Sequence, residues 1–375
     1  MPRAAKKRKI DPEADEPISP IVFTLAGHEV DVRLKVFDRL EFHVHSIILK
    51  LYSTFFRKFL DSPDKIGKGD NTGKFKYEWD TVIDEDGTWS LVDVRNISHE
   101  VKDAEAMPNK VKGSQELHEE VFSQFIGIFY GKVWTIKNDA NLEAITELAD
   151  YYCALPMVSK SLHSAFFISS SFKQRLQHCN KDEHRKRLAV ALKLRSPELF
   201  RDSMIYIVGY WWFLKDDWNP YDGPAIETEE SFEPKIENPQ VNALAIKLHA
   251  QICIKICSTN RKLHWTYQNA PNKYMRKLKR KLDKEFNELT NTLSLPEYYR
   301  TFENNSRKTP LYQYSDAVAD LLENNLTLYQ GNVGVGHHKD FFLCAKIEDG
   351  DLPVSKRVLL SIRISFKQSP ENKII

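Results

Sequence analysis

From Val30 to Lys65 the spacing of apolar residues changes period, and the change predicts what the segment builds. Val30, Val32, Leu34 and Val36 alternate with Asp31, Arg33 and Lys35, the period of a strand with one buried face. Asp38-Arg39 supplies a short polar turn, and Leu40, Phe42 and Val44 alternate again, so the two runs predict a β-hairpin. From Ser46 the period becomes helical. Ile48, Leu51, Tyr52, Phe55 and Phe59 fall on one face of a single predicted helix, which Pro63 ends. A two-stranded ribbon and one apolar helix cannot bury that much surface alone, so a larger α+β domain is expected around them.

Further along, Phe75, Tyr77 and Trp79 alternate, and Asp86-Gly87 ahead of Trp89 and Leu91 predicts a second hairpin. It lies in a segment from about residue 64 to 116 that reads as an insertion, Lys/Gly-rich where it begins and polar where it ends. Ser196-Pro197 is a cap-and-first-turn signal for a helix running through Leu199, Phe200, Met204 and Ile207. Helical period resumes over Ala243–Cys257 and Tyr274–Leu293, a last helix is predicted over Ser315–Leu328, and Val358, Leu360, Ile362 and Ile364 predict a strand. The expected organisation is a disordered tail (1–17), an α+β domain (18–170) interrupted by the insertion, and a helical extension (171–215). An acidic loop (216–240) and a mainly helical region (241–375) complete it.

Composition changes this picture little. With 375 residues, 42% hydrophobic and 11% aromatic, the chain has material for two or three packed domains. Net charge is only +2, so the molecule as a whole is not built electrostatically for nucleic acid, which is not an expected partner. Five widely spread cysteines make no disulfide framework and predict reduced thiols, as in cytosol or nucleus. The greasiest run, Met204 to Leu214, is too short for a bilayer and reads as a core helix, so no membrane partner is expected.

Local charge matters more. Lys6, Lys7, Arg8 and Lys9, with Arg3 just ahead, precede an acidic, Pro-containing stretch and no apolar signal-peptide run. Such a tract stays accessible and resembles monopartite nuclear import signals, which implies importin as a partner and the nucleus as the main location. A second basic run, Lys273 to Lys284, carries Leu278 and Leu282, continued by Phe286 and Leu289, at helical spacing. Its cations are expected to be the wet side of an amphipathic helix, with nucleic-acid contact as the alternative.

Asp31-Val32, Phe42-x-Val44-His45, Ile48-Leu49 and Ser53-x-Phe55-Phe56-Arg57 together resemble the opening of a BTB/POZ domain, especially the fungal group. Val121 to Lys132 is similar to that family's helix closing on Tyr, Gly and Lys, and Leu148 to Tyr152 with Met157-Val158 to its later helix pair. Arg187 to Trp211 resembles the segment C-terminal to the domain in that group. The resemblance spans residues 20–170 and implies a small sheet flanked by helices, acting as a non-catalytic protein–protein interaction module that self-associates. Within it, Asp31, His45, Ser53, Phe55 and Phe56 are motif positions, and His45 is implied to anchor the strand-to-helix turn.

The resemblance also implies two surfaces. Ile18 to Leu25 corresponds to a strand that pairs across a two-fold dimer, where Ile21, Val22, Phe23 and Leu25 would be buried in a homodimer. The alternative is packing against its own domain. Some relatives are adaptors of cullin-type ubiquitin ligases, and the implied cullin groove would use Phe56, Phe59 and Leu60. Phe59-Leu60-Asp61-Ser62-Pro63 lacks the glutamate of that element, which weakens this reading. The nuclear interaction module is thus the first expectation, the ligase adaptor the second, and a nucleic-acid-associated regulator using residues 273–284 the third.

No enzyme is legible. His43 and His45 lie on one side of a strand, but no further ligand completes a metal site. Cys253 and Cys257, at i and i+4 of a helix, are expected to be small buried thiols. His337, His338 and Cys344 lack a second pair, and Gly331, Gly334 and Gly336 lack the Lys-Ser/Thr of a phosphate loop. Neither Gly-x-Ser-x-Gly nor His-Glu-x-x-His occurs, so no catalytic residue, metal or cofactor is expected.

Overall fold

A computed structural model describes residues 19–37, 39–60, 74–97, 110–176, 181–210, 236–269, 272–288, 294–308, 312–329, 331 and 338–353. The fold is α+β and divides into two compact units. The first comprises Met1–Trp134 and Glu147–Val158, the second Thr135–Thr146 and Ser159–Ile375. The basic tail, most of the acidic loop, the glycine cluster beyond Gly331 and the strand predicted at 358–364 lie outside the described residues.

In the first unit a mixed five-stranded sheet is built from β1 (Ile21–Val22), β2 (Val32–Val36), β3 (Leu40–Val44), β4 (Tyr77–Ile83) and β5 (Trp89–Asp93). Their spatial order is β1-β3-β2-β4-β5. The predicted hairpin pairs Leu34 with Phe42, and Val32, Leu34 and Val36 are buried on one face as the alternation requires. The second hairpin joins the same sheet. β4 runs parallel to β2, with Trp79 beside Leu34, so the main-chain groups on the second edge of β2 find partners.

Helices cover the apolar face: α1 (Ser46–Tyr52), α2 (Thr54–Leu60), the short α3 (Val94–Ile97) and α4 (Gln115–Phe129). Phe122 of α4 lies 5.5 Å from Phe42 of the sheet, ring to ring. The single helix expected over residues 46–59 is two. Ser53 is extended (φ −131°, ψ 120°) and buried, and the break resets the helical phase. Leu49, Phe56 and Leu60 therefore point into the core, whereas Leu51 and Phe59 of the predicted stripe are exposed. Two further helices, α5 (Asp139–Tyr151) and α6 (Leu155–Ile168), each contribute residues to both units.

The rest of the second unit is helical: α7 (Ser170–Arg175), α8 (Lys181–Leu194), α9 (Pro197–Gly209), α10 (Pro239–Asn269), α11 (Asn272–Glu288), α12 (Leu295–Arg307) and α13 (Tyr312–Ala319). α9 starts as predicted, with the Ser196 hydroxyl accepting from the Leu199 N–H at 3.3 Å and Pro197 in the first turn. It ends at Gly209, whose carbonyl accepts the Phe342 N–H at 2.7 Å. A Cβ at Gly209 would stand 1.8 Å from the Phe342 carbonyl oxygen, so only glycine permits this approach. α13 stops at Ala319 instead of reaching Leu328. Beyond it the Thr327 and Leu328 amides donate to the Asp202 carboxylate at 2.6 and 2.9 Å, a pairing that replaces helical bonds.

Candidate interaction surface

The motif positions at the start of α1 form a closed polar network. Asp31, just ahead of β2, accepts from the Ser46 N–H at 2.7 Å and the Ser46 hydroxyl at 2.6 Å, capping α1 from a distant part of the sequence. His45 occupies the cap position but makes no side-chain cap. Its N–H donates to the Tyr130 hydroxyl oxygen at 2.9 Å, and its Nδ1 lies 2.9 Å from the same oxygen. Burial pushes Tyr130 up to about 12, so the phenol keeps its proton. The His45 Nε2 lies 3.3 Å from the His28 carbonyl oxygen. His45 is thus spent on the strand-to-helix turn.

His43 is also spoken for. Its Nε2 lies 2.6 Å from Glu41, and its ring packs 4.5 Å from Phe75. Glu41 further accepts from Arg33 at 3.1 Å, and Arg33 donates to Glu78 at 2.9 Å. Partial burial works against the Glu41 charge, but the hydrogen bonds from His43 and Arg33 prevail and hold its carboxyl below the usual range. Among the described residues no group of three or more His, Cys, Asp or Glu could hold a metal ion.

This unit also exposes large apolar side chains. Ile47 and Leu51, one turn apart on α1, are 51% and 61% exposed. Phe59 on α2 and Tyr151 at the end of α5 are exposed as well. The half-buried Phe55 ring joins them, 4.5 Å from Phe59 and 5.6 Å from Tyr151. Lys58 flanks Phe59 at 5.9 Å from its ring. Single exposed apolar side chains need no explanation, but several on α1, α2 and the end of α5, with Phe55, Phe59 and Tyr151 in ring contact, are the kind of surface that binds another polypeptide.

The groove implied for a cullin is corrected by the same geometry. Phe56 and Leu60 are core residues, Phe56 stacked 5.1 Å from Tyr152, and only Phe59 of the three faces outward. The segment implied for a dimer strand is seated on its own sheet: Ile21 and Val22 pair in parallel with Phe42 and His43 of β3. Phe23 is buried with its ring 4.4 Å from Tyr130, Leu25 bridges back to His28, and Val22 stays half exposed.

In the second unit the sequence reading missed a buried polar cluster. Arg187 is almost wholly buried, pairs with both Asp139 oxygens and lies 2.9 Å from His184 Nδ1. His184 stacks 4.0 Å from Tyr206, whose hydroxyl lies 3.1 Å from His338 Nδ1. Burial first, then the Arg187 charge, hold the His184 imidazole well below its ordinary value, so it is neutral. Arg185-Lys186-Arg187 reads in sequence as a solvated run, and nothing local marks its last member as interior. The cysteine expectation is also corrected: Cys257 is exposed and Cys253 half-buried, because their helix face turns outward, while Cys344 is buried. Burial pushes the Cys344 thiol up, away from reactivity.

Comparison of the chain with protein-family models, curated proteins and solved structures returned no match. Among the described residues no helix is long and apolar enough to cross a membrane.

Proposed function

We propose that the chain is a BTB/POZ-type protein-interaction module that works in the nucleus, with the ridge of Ile47, Leu51, Phe59 and Tyr151 as its docking face. The observation that carries this reading is the ridge itself, an apolar set left in water on helices whose other faces fill the core. The order of elements supports it too: a hairpin, a helix pair and, after a second hairpin and a short helix, a helix that ends just before Tyr130-Gly131-Lys132 and two more helices. Apart from the second hairpin and short helix, that order is the one the resemblance implies. Import through Lys6, Lys7, Arg8 and Lys9 would bring the module to its partners.

Tagged full-length chain and its Leu51→Asp variant, recovered from nuclei and compared by quantitative mass spectrometry, test the reading. A partner set held by the parent and by a Val22→Asp control, yet lost from Leu51→Asp, is expected. Identical sets from all three would overturn the docking face. A fluorescent fusion that stays nuclear after Lys6, Lys7, Arg8 and Lys9 are changed to alanine would overturn the import signal.

A further inference from the structure

We propose that the last turns of α10 together with α11 form a binding surface for single-stranded nucleic acid, Trp265 and Tyr267 stacking on bases while a cationic stripe tracks the phosphates. The proposal uses none of the ridge residues and does not depend on them.

Charge is the first argument. Between Arg261 and Lys284 there are nine cations and one carboxylate, a net +8 in a chain whose total is +2, so the remaining residues sum to −6. On α11, Leu278 is buried and Tyr274, Met275 and Leu282 are half-buried, whereas Lys273, Arg276, Lys277, Lys279 and Arg280 are exposed. None of these five cations forms an ion pair among the described residues, while Lys247, Lys262 and Arg201 in the same unit pair with Asp351, Asp320 and Asp349. A wet helix face needs polarity, not one sign. Lys273/Lys277, Arg276/Arg280, Lys277/Lys281 and Arg280/Lys284 are like charges at i and i+4, each working against the helix. A polyanion laid along the stripe removes that repulsion and releases its own counterions.

The aromatic side chains decide which polyanion. Trp265 is 66% and Tyr267 60% exposed, and neither ring meets another aromatic ring among the described residues. Trp265 and Tyr267, two residues apart on α10, project from different sides of it. Tyr267 precedes Lys273 by six residues, a span of at most about 20 Å of chain, so a strand held by the cations reaches the rings by turning around the end of that helix. Exposed rings a few residues from a basic stripe suit unpaired bases, whose π faces are free to stack; bases within a duplex are already stacked. An anionic bilayer would need the apolar face of α11, which is turned inward around Leu278.

Fluorescence anisotropy of the full chain with labelled oligothymidylate and oligouridylate, a duplex of matching length, and polyglutamate as competitor tests the proposal. Single strands are expected to bind more tightly than duplex, with log K falling against log salt at a slope of about −3, as four or five phosphate contacts require. Trp265→Ala with Tyr267→Ala should weaken binding by roughly tenfold per ring and leave the slope unchanged. Lys277→Glu with Arg280→Glu should weaken binding and flatten the slope. That pair of changes also turns all four repulsive i,i+4 pairs attractive, so its effect cannot come from a lost helix. No binding at low salt, equal displacement by polyglutamate, preference for duplex, or an aromatic variant that binds like the parent would each overturn the proposal.

Discussion

The Ser53 hydroxyl donates to the main-chain carbonyl of Tyr152 at 2.6 Å, a bond that spans 99 residues of chain. The same oxygen accepts the Phe56 N–H at 3.1 Å, so one side chain both breaks the helix and starts its successor. Ser53→Ala would leave a buried carbonyl and a buried amide without these partners. A loss of about 2 kcal/mol is expected, read as a lower urea midpoint. An unchanged midpoint would mean that the break is held by packing alone.

Two leucines on one helix separate core from ridge. Leu49 is wholly buried and Leu51 largely exposed, although they are two residues apart on α1. Leu49→Ala is expected to cost about 2–5 kcal/mol. Leu51→Ala should stay within about 0.5 kcal/mol of the parent in the same urea titration. Comparable losses would make Leu51 part of the core and remove the docking face.

How far the sequence discloses this fold depends on the range of the forces involved. The β2–β3 hairpin is legible because alternation is a local signal, and every second residue from Val32 to Val36 is buried. The α9 start is legible because Ser196 and Pro197 act within one turn. The break at Ser53 is not, since what stabilises it is a carbonyl far along the chain. Nor is the end of α13, where Asp202 draws away the amides of Thr327 and Leu328 from 125 and 126 residues off. For the candidate surfaces, helical spacing puts Leu51 and Phe59 on one apolar face but cannot say that the break at Ser53 turns both to solvent. The basic run of α11 is plain in sequence, but the exposure of Trp265 and Tyr267 a few residues before it is a tertiary fact.

Two glycines of the second unit differ in the room around them. A Cβ at Gly209 meets the Phe342 main chain at 1.8 Å, whereas one at Gly350 meets nothing within 4 Å. Gly209→Ala must push apart two main-chain segments and is expected to cost about 1–3 kcal/mol or more. Gly350→Ala should be neutral, or stabilise by a few tenths of a kcal/mol through the unfolded chain. Thermal unfolding of both variants gives the comparison. Equal melting temperatures would deny the close approach of α9 to Phe342.

Asp202 links the stability of the second unit to pH. It is buried, and that burial lifts its carboxyl to about 6, although the Thr327 and Leu328 amides favour the charged form. The folded value lies above the roughly 3.9 of an unfolded aspartate. The proton therefore stabilises the folded state fully below about pH 4, and this contribution is lost as pH rises through about 6. Over that window the parent should lose about 2–3 kcal/mol relative to Asp202→Asn, which has no proton to release. The variant keeps one acceptor oxygen and begins less stable, so the difference in slope is the readout. Urea midpoints of both proteins across the window supply it, and parallel curves would show that Asp202 is already charged at low pH. Hydrogen exchange at the Thr327 and Leu328 amides gives a local check: it should quicken in the parent as pH rises beyond the intrinsic trend, and keep to that trend in Asp202→Asn.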